Sequence, residues 1–188
     1  MRKRRKIEYD SDKLRELVLH ISRQSEGDPC FGAVKLNKIL FYSDFLAYRQ
    51  FGRAITGAEY QKLNHGPAPR QLKPLCERMR RENALAVRDS EYGGYKQKRT
   101  LALREPILGK FTAVEIALVD RIIQNLWGKN ATEVSELSHR FVGWSLAKLG
   151  ETIPYSAALL TKRDPTEKER MHGLKLEAAA EAALAAPR

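Results

Sequence analysis

One segment constrains the fold of this chain more than any other: residues 31–51 form a predicted helix that is apolar on nearly all sides. At about 100° per residue, its basic side chains and one tyrosine fall on one narrow stripe, which we interpret as the solvated edge: Lys35, Lys38, Tyr42 and Arg49. Apolar residues cover almost all of the remaining surface: Leu36, Ile39, Leu40, Phe41, Phe45, Leu46, Ala47 and Phe51. Because a helix with so little polar surface is buried in a globular protein, the sequence predicts a fold built around this central helix.

Asp44 is the exception within that apolar surface. It lies opposite the basic stripe, near Asn37 and Tyr48. A carboxylate in apolar surroundings needs hydrogen bonds or a cation, because an unpaired buried charge is strongly unfavourable. The turn Asn64-His65-Gly66-Pro67 offers a partner, since its glycine can adopt backbone conformations that are closed to other residues. We therefore expect the His65 loop to hold Asp44, and we interpret His65 as structural, with contact to a partner protein as the alternative.

Shorter patterns predict the rest of the fold. Helical periodicity and capping residues predict helices over 10–24, about 68–82, 112–126, 131–139 and from 166 onward. Pro74 marks an alternative start for the second of these helices, because proline is tolerated only in a first turn or at a kink. Extended segments are predicted at about 55–63, 84–89 and 98–104, with Gly93-Gly94 in the turn between the last two. The fold class is thus mainly α (α+β), a helical domain around the central helix with a small antiparallel β-hairpin or sheet.

The composition suggests one globular domain with two tails. A length of 188 residues with 43% hydrophobic content suits a single domain. We predict a basic disordered tail over 1–9, the folded domain over 10–162, and an alanine-rich peripheral helix over 163–188. The capping signal Asp164-Pro165-Thr166-Glu167 introduces that last helix.

Positive charge is concentrated in two places. The net charge is +11, and five of the positive charges come from Arg2, Lys3, Arg4, Arg5 and Lys6. A second cluster on the predicted helix and hairpin includes Arg78, Arg81, Lys96, Lys98 and Arg99. Such clusters suit an acidic protein or nucleic acid, although solvated faces have the same composition. A DNA-binding transcriptional regulator is the alternative function, but a winged helix needs two helices before its strands and 69–83 holds only one.

The sequence has no pattern typical of an enzyme or of a metal site. Its four histidines and two cysteines lack zinc-site spacing, and there is no phosphate-binding glycine loop or GxSxG motif. A hydrolase using His65, Asp44 and Cys76 is disfavoured, because Cys76 lies on the apolar stripe of its helix. We therefore expect no catalytic residues, cofactor or metal.

The cysteines and the lengths of the apolar runs predict where the protein resides. Cys30 and Cys76 indicate no disulfide framework, and no apolar run reaches the about 20 residues that span a bilayer. The Met1–Lys6 start also lacks the apolar stretch of a secretory signal. The expected location is the cytoplasm, with no membrane association.

Two blocks of residues resemble a known family. The first contains Lys35-Leu36, Lys38-Ile39-Leu40-Phe41-Tyr42, Gly52-Arg53 with Ile55, and His65-Gly66-Pro67. The second contains Leu137-Ser138-His139, Gly143-Trp144, and Gly150-Glu151 followed by Ile153-Pro154-Tyr155. In this order and spacing they resemble the Panacea domain, the SocA-like antitoxin family, over about residues 12–160.

The resemblance implies a mostly helical antitoxin of a bacterial or phage two-gene system. Members of the family neutralise diverse toxins by direct protein binding, and SocA also delivers its toxin to the ClpXP protease. A cognate toxin is therefore the expected partner, and a ClpXP-type protease is a further one. The family has no established catalytic residues. Its motif positions resemble fold-defining residues, which here include Asp44, His139, Trp144, Pro154 and Tyr155, so the variable surface is expected to bind the toxin.

Overall fold

The computed structural model describes residues 7–160 and 166–185 and confirms a mainly helical chain. In the described part, the α-helices are α1 (Ser11–Gln24), α2 (Ala33–Phe51), α3 (Leu72–Arg81), α4 (Ala113–Leu126), α5 (Ala131–His139), α6 (Val142–Leu146) and α7 (Glu167–Ala185). Two short 3-10 helices span Leu108–Lys110 and Tyr155–Leu159. The strands are β1 (Tyr60–Leu63), β2 (Gly66–Pro69), β3 (Leu85–Tyr92) and β4 (Tyr95–Ala102).

The central position of α2 is confirmed. It packs against α1, α4, α5, β2, β4 and the 3-10 helix Tyr155–Leu159. Its apolar side chains Leu36, Ile39, Leu40 and Phe41 are buried. Gly52 ends the helix with a left-handed backbone, φ 72°, which glycine adopts without a steric penalty. Phe51, predicted to be apolar surface in the interior, is 41% exposed because it lies in the last turn.

The β component consists of two separate antiparallel hairpins. In the first, Tyr60 pairs with Pro69 and Leu63 with Gly66, which leaves Asn64-His65 as the turn. In the second, Leu85 pairs with Ala102 and Tyr92 with Tyr95. Gly93 and Gly94 both have positive φ, 58° and 80°, as two-residue hairpin turns require.

The first hairpin corrects two predicted boundaries. Only 60–63 of the predicted extended segment 55–63 is a strand, and the helix predicted from Ala68 begins at Leu72. Residues 66–69 instead pair with β1, and the Arg70 amide donates to the Glu59 carbonyl. Pro74 then lies in the first turn of α3, where a missing backbone donor costs nothing.

Apart from α2 and α3, the predicted helices begin within one residue of where the sequence places them. Thr112 and Glu115 form a reciprocal capping box at α4, and Asn130 and Glu133 form one at α5. The segment Phe141–Trp144, which lies outside the predicted helices, contains the start of α6. At α7, the Glu169 amide donates to Thr166 Oγ1 at 3.4 Å, and every side chain described over 167–178 is exposed. The predicted tail residues Arg2–Lys6 lie outside the described part, and the division into three parts stays a prediction.

Candidate functional site

Asp44 is completely buried and accepts three hydrogen bonds. The Thr56 amide donates to Oδ1 at 2.7 Å, while the Thr56 hydroxyl and the Tyr60 hydroxyl, at 2.8 Å, donate to Oδ2. Burial raises the pKa of Asp44, and these hydrogen bonds oppose that rise. Asp44 therefore joins α2 to the segment that leads into β1, which is a structural role.

The prediction that the His65 loop holds Asp44 is wrong. The His65 side chain is exposed, and the contact of this residue is its backbone carbonyl, which accepts from Ser135 Oγ at 3.1 Å. The physical reason is that the tight turn between β1 and β2 directs His65 outward, while Thr56, closer along the chain, supplies both an amide and a hydroxyl. No hydrogen bond within the described residues joins His65, Asp44 and Cys76 to one another.

The prediction that the basic stripe of α2 is exposed to solvent is also wrong for its two lysines. Lys35 and Lys38 are each only 2% exposed. Lys35 Nζ lies 2.5 Å from Asp28 Oδ2, in a pair whose two side chains are 2% exposed. The loop around Asp28 folds over the lysine, and a helical projection cannot show this because it ignores segments outside the helix.

Arg99 closes the same loop from the other side. We predicted Arg99 to lie in the exposed basic cluster, but it is only 8% exposed. Its guanidinium donates to the backbone carbonyls of Asp28 and Glu26, both at 2.8 Å. Asp28 Oδ1 in turn accepts from the Cys30 amide at 3.0 Å. Arg99 is therefore a structural residue that satisfies buried carbonyl groups.

Lys38 has a different environment from Lys35. Among the described residues its ammonium has one hydrogen-bond partner, the Pro67 carbonyl at 3.2 Å. Burial lowers the pKa of Lys38 to about 7. A buried lysine without a carboxylate partner is uncommon. The His-Gly-Pro motif accommodates Lys38, because the motif supplies both the carbonyl that accepts its hydrogen bond and the space for its side chain.

Gly66 supplies that space. Its φ is +95°, and a Cβ on this residue would lie 2.2 Å from Ser138 Oγ and 2.9 Å from Lys38 Nζ. Both distances are far inside van der Waals contact. The glycine is thus required by the close approach of α2 and α5 as well as by its backbone conformation. Pro67, also buried, contributes its carbonyl to Lys38.

His139 and Trp144 form a stacked pair next to this motif. Their ring centroids are 3.9 Å apart with an interplanar angle of 11°. Trp144 Nε1 donates to the Leu63 carbonyl at 3.3 Å, and Lys62 Nζ lies 4.1 Å from the Trp144 ring centroid. Burial, followed by the charge of Lys38, lowers the pKa of His139. The pair holds the first hairpin against the α5–α6 corner.

Most of the remaining motif residues also face the interior, whereas Pro154 is exposed. Tyr155 is buried, donates from its hydroxyl to the Ala58 carbonyl at 2.7 Å, and stacks on Phe45 with ring centroids 4.7 Å apart. Pro154 precedes it and accepts from the Ala157 amide in the 3-10 helix. Leu36 is buried and Tyr42 is half-buried.

The exposed basic cluster is smaller than the sequence indicates. Arg78 and Arg81 are exposed on α3, and neither has an ion-pair or hydrogen-bond partner for its side chain in the described part of the chain. Lys98 and Lys96 are also exposed but lie directly opposite Asp89 and Glu91 in the β3–β4 register. Because opposite charges at such positions attract each other, the charges of these two lysines are offset within the hairpin.

Several structural residues escaped the sequence reasoning. Asp28 and Thr56 belong to none of the sequence patterns described above, and Ser138 belongs only to the second family block. An acidic residue such as Asp28 can be recognised as the partner of a buried cation only once that cation is known to be buried. Tertiary contacts alone reveal these roles.

The described residues offer little for metal or nucleophilic chemistry. No group of three or more His, Cys, Asp or Glu side chains in 7–160 and 166–185 could hold a metal ion. The Cys76 thiol is half-buried, and burial raises its pKa to about 11, which disfavours the reactive thiolate. None of the helices in these ranges is both long and apolar enough to cross a membrane.

Residues 36–145 match the family described as "Antitoxin SocA-like, Panacea domain", and the match covers more than half of the chain. It includes Asp44, the His65-Gly66-Pro67 turn and the His139–Trp144 pair. Lys35, Pro154 and Tyr155 lie outside it. No curated protein and no solved structure matches the chain.

Proposed function

The chain belongs to the SocA-like antitoxin family, whose Panacea domain it carries over residues 36–145, and from this premise we propose that it neutralises a cognate toxin by direct protein–protein binding. The family match is the observation that carries the proposal. The toxin is expected to be a cytoplasmic protein produced with the antitoxin, and the complex to bury about 800 Å² on each partner.

Several motif residues are held by contacts within the fold, which supports binding through other side chains. Asp44, Lys38, Gly66 and Tyr155 are occupied by contacts within the chain. Side chains engaged in this way fix the backbone but are not available to a partner. Specificity for one toxin is then set by residues that can change without disturbing the fold.

Co-expression with the neighbouring gene tests this proposal. Induction of that gene alone is expected to stop growth, and co-expression of the full chain to restore it. An affinity tag on the chain should retain the neighbour's product during purification. Failure of both rescue and retention would contradict the proposal.

The stoichiometry of inhibition tests whether the chain acts without catalysis, as we propose. An antitoxin that acts by occupancy inhibits in proportion to its amount, so purified toxin should lose activity linearly up to equimolar chain. Complete inhibition at a small fraction of one equivalent would instead indicate an enzyme that modifies the toxin or its target.

Nucleic-acid binding is the second candidate, and the exposed Arg78 and Arg81 on α3 favour it. The acidic residues opposite Lys96 and Lys98 argue against an extended basic surface. A gel shift with the chain's own promoter, repeated at several salt concentrations, separates specific binding from phosphate attraction. Charge reversal at Arg78 and Arg81 should abolish any specific shift.

A protease-adaptor role is a further proposal at family level. No contact in the described residues supports it, and it follows only from the comparison with SocA. A degradation assay with the toxin, the chain and a ClpXP-type protease is the direct test.

A further inference from the structure

A cleft of about 270 Å³ lies between α2, the end of α5 and the start of α6. Phe41 and Phe45, both buried, form its floor together with the half-buried Phe141. The Phe141 ring meets both of the others edge-on, with centroid distances of 5.1 and 5.3 Å. The floor is therefore rigid, aromatic and already assembled.

Two arginines border this cleft. Arg49 lies in the last turn of α2 and Arg140 directly after α5, and both are exposed. Within the described ranges neither side chain has an ion-pair or hydrogen-bond partner. Arg104, by contrast, pairs with Glu16. The border of the cleft thus carries two positive charges that no carboxylate within 7–160 or 166–185 balances.

Apolar side chains continue beyond the cleft. Ala158 belongs to its lining, and Leu159, the next residue, is 59% exposed. The 3-10 helix that holds both residues packs against α6, whose Leu146 is 73% exposed. Single exposed leucines are ordinary, but these lie on two touching elements beside an open aromatic cleft, as in the centre of an interface.

We infer that this cleft is the anchor pocket for the toxin, and that it receives one large apolar side chain from an acidic segment whose carboxylates pair with Arg49 and Arg140. The inference rests on the proposed function and names the surface that performs it. The volume lies below the about 300–1,000 Å³ of small-molecule sites, so it suits an anchoring side chain. Charge complementarity selects an acidic partner, because both free charges at the border are positive.

Two charge-reversed variants of the full chain test the assignment. Arg49→Glu/Arg140→Glu alters the border of the cleft, and Arg78→Glu/Arg81→Glu is the matched control on α3. Both change four units of net charge, and all four arginines are exposed. The probe is the purified product of the neighbouring gene, and the readouts are binding affinity, growth rescue and thermal unfolding.

We expect the cleft variant to bind at least about tenfold more weakly and the control to bind within about threefold of wild type. A milder variant, Arg49→Gln/Arg140→Gln, should show a smaller loss and a weaker dependence of affinity on salt. It also provides the test if the reversed variant unfolds. Unchanged thermal unfolding together with lost binding supports the assignment.

The other outcomes overturn it in different ways. If wild type binds and both reversals weaken binding equally, net charge alone is responsible and the cleft is not the anchor site. If light scattering shows a dimer that the cleft variant dissociates without loss of toxin binding, the cleft holds a second copy of the chain. If wild type neither binds nor rescues, the proposed function fails and the cleft assignment fails with it.

Discussion

Lys35 and Lys38 lie one helical turn apart on α2 and are equally buried, yet they are accommodated in opposite ways. Lys35 meets the carboxylate of Asp28 at 2.5 Å, in a loop that Arg99 also holds. Among the residues that the structure describes, Lys38 donates only to the Pro67 carbonyl, at 3.2 Å, and burial lowers its pKa to about 7. The first lysine is paired with a buried carboxylate, whereas the second is kept in place by the shape of the turn around it.

This difference shows what the family motif does. Around Lys35 the chain supplies a charge, so the interaction depends on one acidic residue. Around Lys38 it supplies space and a carbonyl, so the interaction depends on the glycine that permits close approach. Two lysines on one helix face can therefore be destabilised by different substitutions, and the following variants distinguish the two sites.

Asp28→Asn should have the largest effect. It leaves Lys35 buried without a counter-charge, which costs about 3–5 kcal/mol of unfolding free energy. Urea unfolding of Asp28→Asn, Lys35→Met and the double variant would measure the coupling. The double variant should be less destabilised than the sum of the single variants; additivity would show that the pair is not coupled.

Gly66→Ala comes next, because it disturbs Lys38 through shape alone. The new Cβ would clash with Ser138 Oγ and Lys38 Nζ, and we expect a loss of about 3 kcal/mol or more. Gly150→Ala is the matched control. It has a φ of +78° and nothing within 4 Å of its Cβ, so it should cost only about 1–2 kcal/mol. Equal losses would remove the close-contact explanation.

The pH dependence of stability should distinguish Lys38 directly. Its pKa is lowered to about 7 from the usual 10.5 in the folded chain, so between these values the unfolded chain binds more protons. Stability attributable to Lys38 therefore rises with pH across this window, by at most about 1.4 kcal/mol per unit.

Thermal or urea unfolding of wild type and Lys38→Met, compared between about pH 7 and pH 9, measures that slope. His139, the titratable side chain influenced by Lys38, titrates below this range because its pKa is lowered. The raised pKa values of Tyr60 and Tyr155 affect stability only above it. Parallel pH profiles for the two proteins would contradict the buried, weakly paired state of Lys38.

The smallest effect is expected at the exposed arginines. Arg78→Glu/Arg81→Glu touches no buried group, so the unfolding free energy should stay within about 0.5 kcal/mol of wild type. A larger change, seen in the same urea series, would show that α3 contributes to the core through contacts of these side chains.

The helices and the hairpin turn could be predicted because their signals are local. Apolar periodicity defines α1, α2 and α4, and Thr112 supplies a capping box at the start that it predicts for α4. The start of α3 was misplaced because residues 66–69 form a strand only when β1 is beside them. The sequence of one strand does not show which other segment it pairs with.

The buried charges could not be predicted for the same reason. The helical projection placed Lys35 and Lys38 correctly on one stripe, and it placed Asp44 opposite them. It then treated the lysine stripe as solvated, since the loops at Asp28 and Pro67 do not appear in a projection of one helix. Arg99 was misassigned in the same way, because the carbonyl groups that it satisfies belong to a distant loop.

The sequence by itself determined the class of fold, the central place of α2 and the family, because these depend on periodicity, capping and residue order along the chain. Only the tertiary structure decided which charges are internal, that Thr56 and Tyr60 hold Asp44, and that Gly66 is required by the approach of Lys38 and Ser138. The physical reason is that the free energy of a buried polar group depends on the partners and space that distant segments bring to it.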